Sequence, residues 1–268
     1  MTVFRIKEKE NSLITEDAHE LICYATISEI NSWNDVVNLY SEIKQKHFPK
    51  KVLLLLEDIG QCEYTSMHAS MGEGLYFDTT EFVEDDSAAS WENTRPLELQ
   101  YHIEQLLKPE NYLNFNNLPK KLNYSDEDQA TLLQINAEPE KILDEVIQVK
   151  LVNIQTETQK FAACLNGYFT CDLNPFESFS LIEHLDQNYG LEYVGLGASL
   201  LFFIKTSKFD ANKTPQLLNE LSNFYQFSQT THNQLEQHLS NHEYLILPLC
   251  TRQISQNPYP VSYTHLTL

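Results

Sequence analysis

Glu57 and Asp58 follow directly on the apolar run Lys51-Val52-Leu53-Leu54-Leu55-Leu56, and Cys62, His68 and the Gly72-Glu73-Gly74 loop come soon after. Open α/β sheets hold ligands at the carboxyl ends of their strands. A carboxylate in that position can act as general base, with an imidazole as its partner in proton transfer. The pattern nominates Glu57 or Asp58 as base and His68 as partner. The competing reading is an acidic loop without chemistry. Aspartates and threonines nearby could hold a divalent cation, but their spacing fits no calcium-loop pattern.

Other spacings are less specific. His238 and His242 are four apart, which on a helix puts two imidazoles on one face, with His232 and Glu236 nearby. Ser240-Asn241 reads as a helix end, which would break that alignment, so surface histidines are expected and no metal. Gly195-Leu196-Gly197 begins like a dinucleotide-binding fingerprint, but Leu200 stands at the third glycine position. A strand is expected after it, so a tight turn is the better reading, and no cofactor is implied. Five cysteines, Cys23, Cys62, Cys164, Cys171 and Cys250, are irregularly spaced. They suit buried thiols in a reducing compartment better than a disulfide framework.

The elements that would position these groups form a mixed α/β pattern. Leu21 to Ile27 reads as a buried strand. Ser32 and Asp35 make a capping-box-like start for a helix from Trp33 to about Lys46. Lys51 to Leu56 completes a β-α-β unit, for which a parallel pair and a right-handed crossover are expected. Leu75 to Val83 could form a short hairpin turning at Asp78-Thr79-Thr80, and Pro96 suits the first turn of a helix to about Leu107.

Further on, Ser125 caps a helix and Pro139 opens another to about Glu145. Strands are expected around Val149 to Ile154 and from Gln159 to Leu165. Ser178 to Asn188 reads as a helix closed by Gly190. Leu191 to Val194 and Leu200 to Lys205 form a hairpin. Helices to about Phe224 and over Thr231 to Ser240 precede a strand from Tyr244 to Leu249. The Asn-rich stretch from Pro109 to Ser125 marks a boundary between halves. The expected architecture is two small mixed-sheet units with helices packed on the sheets, over residues 1–120 and 121–259, either separate or merged into one body.

The 268 residues carry a net charge of −20. Such a surface repels nucleic acid phosphates and anionic lipids, which need clustered Lys and Arg. Lys50-Lys51 and Lys120-Lys121 are the only basic pairs of note. Val52 to Thr94 contains ten acids and no Lys or Arg, so half the net charge lies in one excursion. Glu81, Glu84, Asp85 and Asp86 are its densest run and the expected contacts for a basic protein partner. No apolar stretch has the length of a membrane helix, and Met1 to Ser12 lacks a signal-peptide core. A soluble, cytoplasmic protein is expected.

A run from Leu181 to Gly197 (LIEHLDQNYGLEYVGLG), the apolar strand Leu200 to Lys205 and the aromatic-rich helix Lys213 to Phe227 carry a resemblance. From about Ala162 to Leu249 the chain resembles the bacterial domain-of-unknown-function 4253 family. It departs from the family pattern at Ala198-Ser199, at Gln226-Phe227-Ser228, and at Leu245 and Leu247, where the family has tryptophans. The resemblance implies a bacterial α/β domain and carries no activity or catalytic residue. Residues 261–268 (VSYTHLTL) resemble the in-frame translation of a sequencing adapter, so the natural chain is expected to diverge near Pro260 and residues 260–268 are set aside.

The leading expectation is a non-enzymatic interaction protein, of the immunity or regulatory kind, that binds a basic partner. The alternative is an enzyme or small-ligand binder at Glu57, Asp58 and His68.

Overall fold

A computed structural model describes residues 2–9, 11–72, 74–118, 122 and 124–250. The adapter-like tail, Lys120-Lys121 and Glu73 lie outside the described residues. Among those described, nine α-helices flank one seven-stranded mixed sheet.

The strands are β1 (Val3–Ile6), β2 (Ala25–Ser28), β3 (Lys51–Leu55), β4 (Val146–Val152), β5 (Leu191–Leu196), β6 (Leu200–Lys205) and β7 (Tyr244–Pro248). Their spatial order is β1-β2-β4-β3-β5-β6-β7. Only β3 and β5 pair in parallel, with Leu54 opposite Gly195.

Two sequence expectations are corrected here. There are not two sheets, because β4 of the second half pairs with both β2 and β3 of the first. The β2 to β3 unit is likewise not a hydrogen-bonded parallel pair, since β4 fills the gap between them. The reason lies in β4 itself. Ile147, Val149 and Leu151 are fully or almost fully buried, as are Lys150 and Val152, so both faces suit a central position.

The helices are α1 (Glu16–Cys23), α2 (Trp33–Lys46), α3 (Ile59–Ser70), α4 (Ala88–Glu92), α5 (Arg95–Leu107), α6 (Asp126–Ala137), α7 (Pro175–Tyr189), α8 (Thr214–Tyr225) and α9 (Gln229–Asn241). Several start and stop where side chains satisfy orphan backbone groups. Ser32 accepts from the Asp35 amide, and Ser125 and Asp128 form a reciprocal capping box. Gly190 closes α7 in the left-handed conformation at φ 67°.

Other local expectations fail for identifiable reasons. Leu21 to Cys23 is the last turn of α1, started by the Thr15 side chain, so only Ala25–Ser28 is strand. Around Asp78 there is no hairpin but a 3-10 turn, Thr80–Phe82. Asp78 Oδ1 accepts from the Thr80 amide and hydroxyl and tightens the chain there. Pro139 starts only a 3-10 turn to Lys141. Residues 158–163 are a 3-10 turn as well, held by the buried Lys160 instead of by a strand partner.

One face of the sheet presents Leu54, Val194 and Ile204 to Trp33, Val36 and Tyr40 of α2. Trp33 also stacks on Phe202 at 5.6 Å. On the opposite face Tyr193 meets both Phe161 and Phe203, and α1 packs on β4. No helix among the described residues is long and apolar enough to cross a membrane.

Candidate functional site

Glu57 leaves β3 at the end where β5 and β6 join. The Leu56 amide donates to the Leu196 carbonyl at 2.9 Å, and the Ala198 amide to the Glu57 carbonyl at 3.0 Å. The Glu57 carboxylate accepts from the Ser199 amide at 3.3 Å and the Ser199 hydroxyl at 3.4 Å. It therefore closes the β5–β6 turn. Gly197 makes room for it, because a Cβ there would collide with the Glu57 side chain. Burial raises the Glu57 pKa to about 7, with the Asp58 and Asp144 charges adding to the effect and the Ser199 hydrogen bonds opposing it.

Asp58 adopts the left-handed conformation at φ 42° and caps α3 by accepting from the Gln61 amide at 3.3 Å. The Ile59 amide donates to Asp144 Oδ2 at 2.8 Å, tying the same helix start to the approach of β4. His68 stands ten residues beyond Asp58, so the helix separates them by about 15 Å. Its ring lies between Tyr64 at 4.4 Å and Tyr168 at 4.6 Å. The structure brings Glu57 and Asp58 together as neighbours and leaves His68 apart from both. The base-and-partner geometry is not formed.

The same helix carries something the sequence reading missed. Its inner side buries Ile59, Cys62, Thr65 and Ala69. Tyr64, Met67 and Met71 point outward, 48%, 48% and 58% exposed, and His68 completes the i, i+3, i+4, i+7 stripe. Tyr168 extends the stripe through its stack on His68, with Phe169 5.1 Å further on.

After α3 the chain turns at Gly72, whose amide donates to the Ala69 carbonyl, and enters the acidic loop. Glu81, Glu84, Asp85 and Asp86 are all exposed there. Exposed Tyr76, Phe82 and Trp91 interleave with them. The loop is locally organised: the Ser90 hydroxyl accepts from the Glu84 and Asp85 amides, and Phe77 stacks between Phe82 and Tyr101. The base-free segment thus exposes two features in succession, the methionine- and tyrosine-bearing stripe of α3 and the acidic, aromatic loop that follows it. It can bury apolar side chains of a partner while attracting its positive charge.

Against the expectation of surface histidines, His238 at the end of α9 is buried, and both it and His242 are engaged within the protein. His238 and His242 stack at 4.6 Å, and His238 Nε2 is 2.9 Å from the Tyr244 carbonyl. Burial lowers the His238 pKa to about 4. His232 meets the Ser222 hydroxyl instead. Among the described residues no three His, Cys, Asp or Glu side chains gather around a common point.

A cleft of about 390 Å³ lies between the 112–116 segment, α7 and α8. In it His184 Nε2 meets Glu220 Oε2 at 2.7 Å, the ring stacks on Phe115 at 4.4 Å, and Nδ1 faces the Asn188 amide. Both ring nitrogens are thus occupied, which holds the imidazole in place. His184 and Asn188 share a helix face in the sequence, but Glu220 is contributed by another helix and no local spacing points to it.

Comparison with protein families, with curated proteins and with solved structures gives no match for this chain.

Proposed function

We propose that the protein is a non-enzymatic docking module that binds a basic, amphipathic protein segment. The occupied face is the outer side of α3, and the acidic loop that follows α3 supplies the charge. One observation carries this reading: the exposed Tyr64-Met67-Met71 stripe lies in the segment that holds ten acids and no base. A helix with apolar residues on one side and Lys or Arg on its flanks complements both features. Methionine side chains adapt to varied partner shapes, and acids steer the encounter.

The immunity or regulatory role, the cytoplasmic setting and the likeness of residues 162–249 to the domain-of-unknown-function 4253 family belong to the same proposal. That likeness supplies no activity to compete with it.

The test uses two synthetic amphipathic peptides of equal apolar content, one rich in lysine and one rich in glutamate. Trp91, 43% exposed in α4, reports binding by its fluorescence. The lysine peptide is expected to bind, more weakly as salt rises. Equal binding of both peptides, or of neither, removes the proposal.

A further inference from the structure

Cys62 lies on the inner side of α3, and Cys164 directly follows the 158–163 turn. Both are buried, at 0% and 3% exposure, and their Sγ atoms are 3.9 Å apart. A disulfide holds its sulfurs ~2.05 Å apart, so bond formation requires an approach of about 2 Å between atoms already in contact.

The surroundings distinguish the two sulfurs. Lys150 of β4 is buried at 8% exposure and forms no ion pair among the described residues. The hydrogen bond shared with Cys62 holds the Cys164 pKa below the usual thiol value against the opposing effect of burial, and the Lys150 charge and Ser66 hydroxyl act in the same direction as that bond. The same hydrogen bond, together with burial, pushes Cys62 up. Two thiols in contact at 3.9 Å, with the unpaired Lys150 charge favouring a thiolate at Cys164, have the arrangement of a nucleophile beside a resolving cysteine.

We propose that Cys62 and Cys164 are a redox-responsive pair that a small hydroperoxide converts to a disulfide. The Cys164 thiolate attacks the peroxide oxygen and the O–O bond breaks. The departing oxyanion takes a proton and leaves as an alcohol, or as water from hydrogen peroxide, with Cys164 as a sulfenic acid. The Cys62 sulfur then attacks the Cys164 sulfur, and the hydroxyl departs as water with the Cys62 proton. Two thiols lose two electrons, which reduce the O–O bond. Burial restricts the oxidant to a small molecule, since a bulky disulfide such as glutathione disulfide has no path to a cysteine that is only 3% exposed.

The bond would join the inner side of α3 to the segment that leads into Tyr168. Those two segments already meet on the outer surface through the His68–Tyr168 stack. Oxidation would fix their relative position. The inference does not depend on the docking proposal, and its test involves no partner.

Full-length protein is treated with dilute hydrogen peroxide, denatured in N-ethylmaleimide and digested without reductant for mass spectrometry. The expected product is one cross-linked peptide pair containing Cys62 and Cys164, lost on treatment with dithiothreitol. In Cys62→Ser the cross-link is absent and dimedone traps Cys164 as the sulfenic acid. The proposal is overturned if wild-type Cys62 and Cys164 are both recovered as maleimide adducts after the more exposed Cys23 and Cys171 have reacted. Pairing of either sulfur with a different cysteine overturns it too. The wild-type map decides the matter even if the serine variant does not fold.

Discussion

The Lys160 ammonium donates to the Tyr40 hydroxyl at 2.7 Å, at a point where Lys160 has no solvent exposure. The Tyr40 hydroxyl in turn donates a hydrogen bond to Glu192 at 2.5 Å, and Glu157 accepts from Lys160 at 3.0 Å. Lys44 joins both carboxylates, at 2.6 Å to Glu192 and 3.0 Å to Glu157. The network ties α2, the start of β5 and the 158–163 turn to one another. Removing one member leaves buried charge or hydrogen-bonding groups without a partner, which costs more than the bond itself contributes.

Tyr40→Phe is accordingly expected to lower unfolding free energy by about 1–3 kcal/mol, and Lys160→Ala by about 3–5 kcal/mol. Urea denaturation of each variant measures both. The double variant is expected to cost less than the sum, because the two groups share partners. Strict additivity would show that Lys160 and Tyr40 are not energetically coupled.

A buried histidine and a half-buried glutamate give opposite dependences on pH. His238 has its folded pKa lowered to about 4 by burial. Between that value and the ordinary histidine pKa of ~6.5 the unfolded chain binds more protons, so this contribution is lost as pH falls through the window. Glu57 is the reverse. Its folded pKa is raised to about 7, so its contribution is present below the ordinary value of 4.5 and lost as pH rises toward 7. His238→Gln should flatten the acid-side loss relative to wild type. Glu57→Gln should gain relative stability as pH rises from 4.5 to 7. Denaturation midpoints of each variant against wild type across pH 4 to 8 separate the two, and parallel curves would contradict the assignment.

On the outer face of α3, Tyr64→Ser with Met67→Ser should lower stability by no more than about 1 kcal/mol, since each residue is about half exposed. It should weaken binding of the lysine-rich peptide at every salt concentration. Replacing Glu81, Glu84, Asp85 and Asp86 by their amides should instead slow association at low salt and matter little at high salt. Stopped-flow fluorescence of Trp91 distinguishes the two patterns.

At Gly190 a Cβ would collide with the backbone of Lys208 and Phe209, and the residue sits at φ 67°. Gly190→Ala should destabilise the protein by more than about 1 kcal/mol. A thermal midpoint equal to wild type would show that the α7–β5 connection tolerates movement.

Local chemistry was legible in the sequence. Ser32, Ser125 and Gly190 end or begin helices where their side chains, or the lack of one, satisfy the backbone. The acids of the loop were legible as charge alone. The central place of β4 was not, because nothing local to Val146–Val152 states which strands flank it. Helix α3 was also missed: apolar residues occupy both its inner and outer sides, so its periodicity is weak and Gly60 obscures its start. The docking stripe went unseen for the same reason. Lys160 has Glu157 three residues away, but its buried partner Tyr40 is 120 residues distant, and Glu220 meets His184 across 36 residues, beyond any spacing rule.

The position of β4 also orders events during synthesis. Residues 1–145 contain β1, β2 and β3, yet β2 has no neighbour on its inner edge until Val146–Val152 emerges from the ribosome. Until then the nascent chain carries open strand edges of the kind that recruit other chains. A stalled or prematurely terminated product ending before Val146 would expose the flanks of β2 and β3, making the translation interval before β4 the one in which chaperone protection has the most to cover.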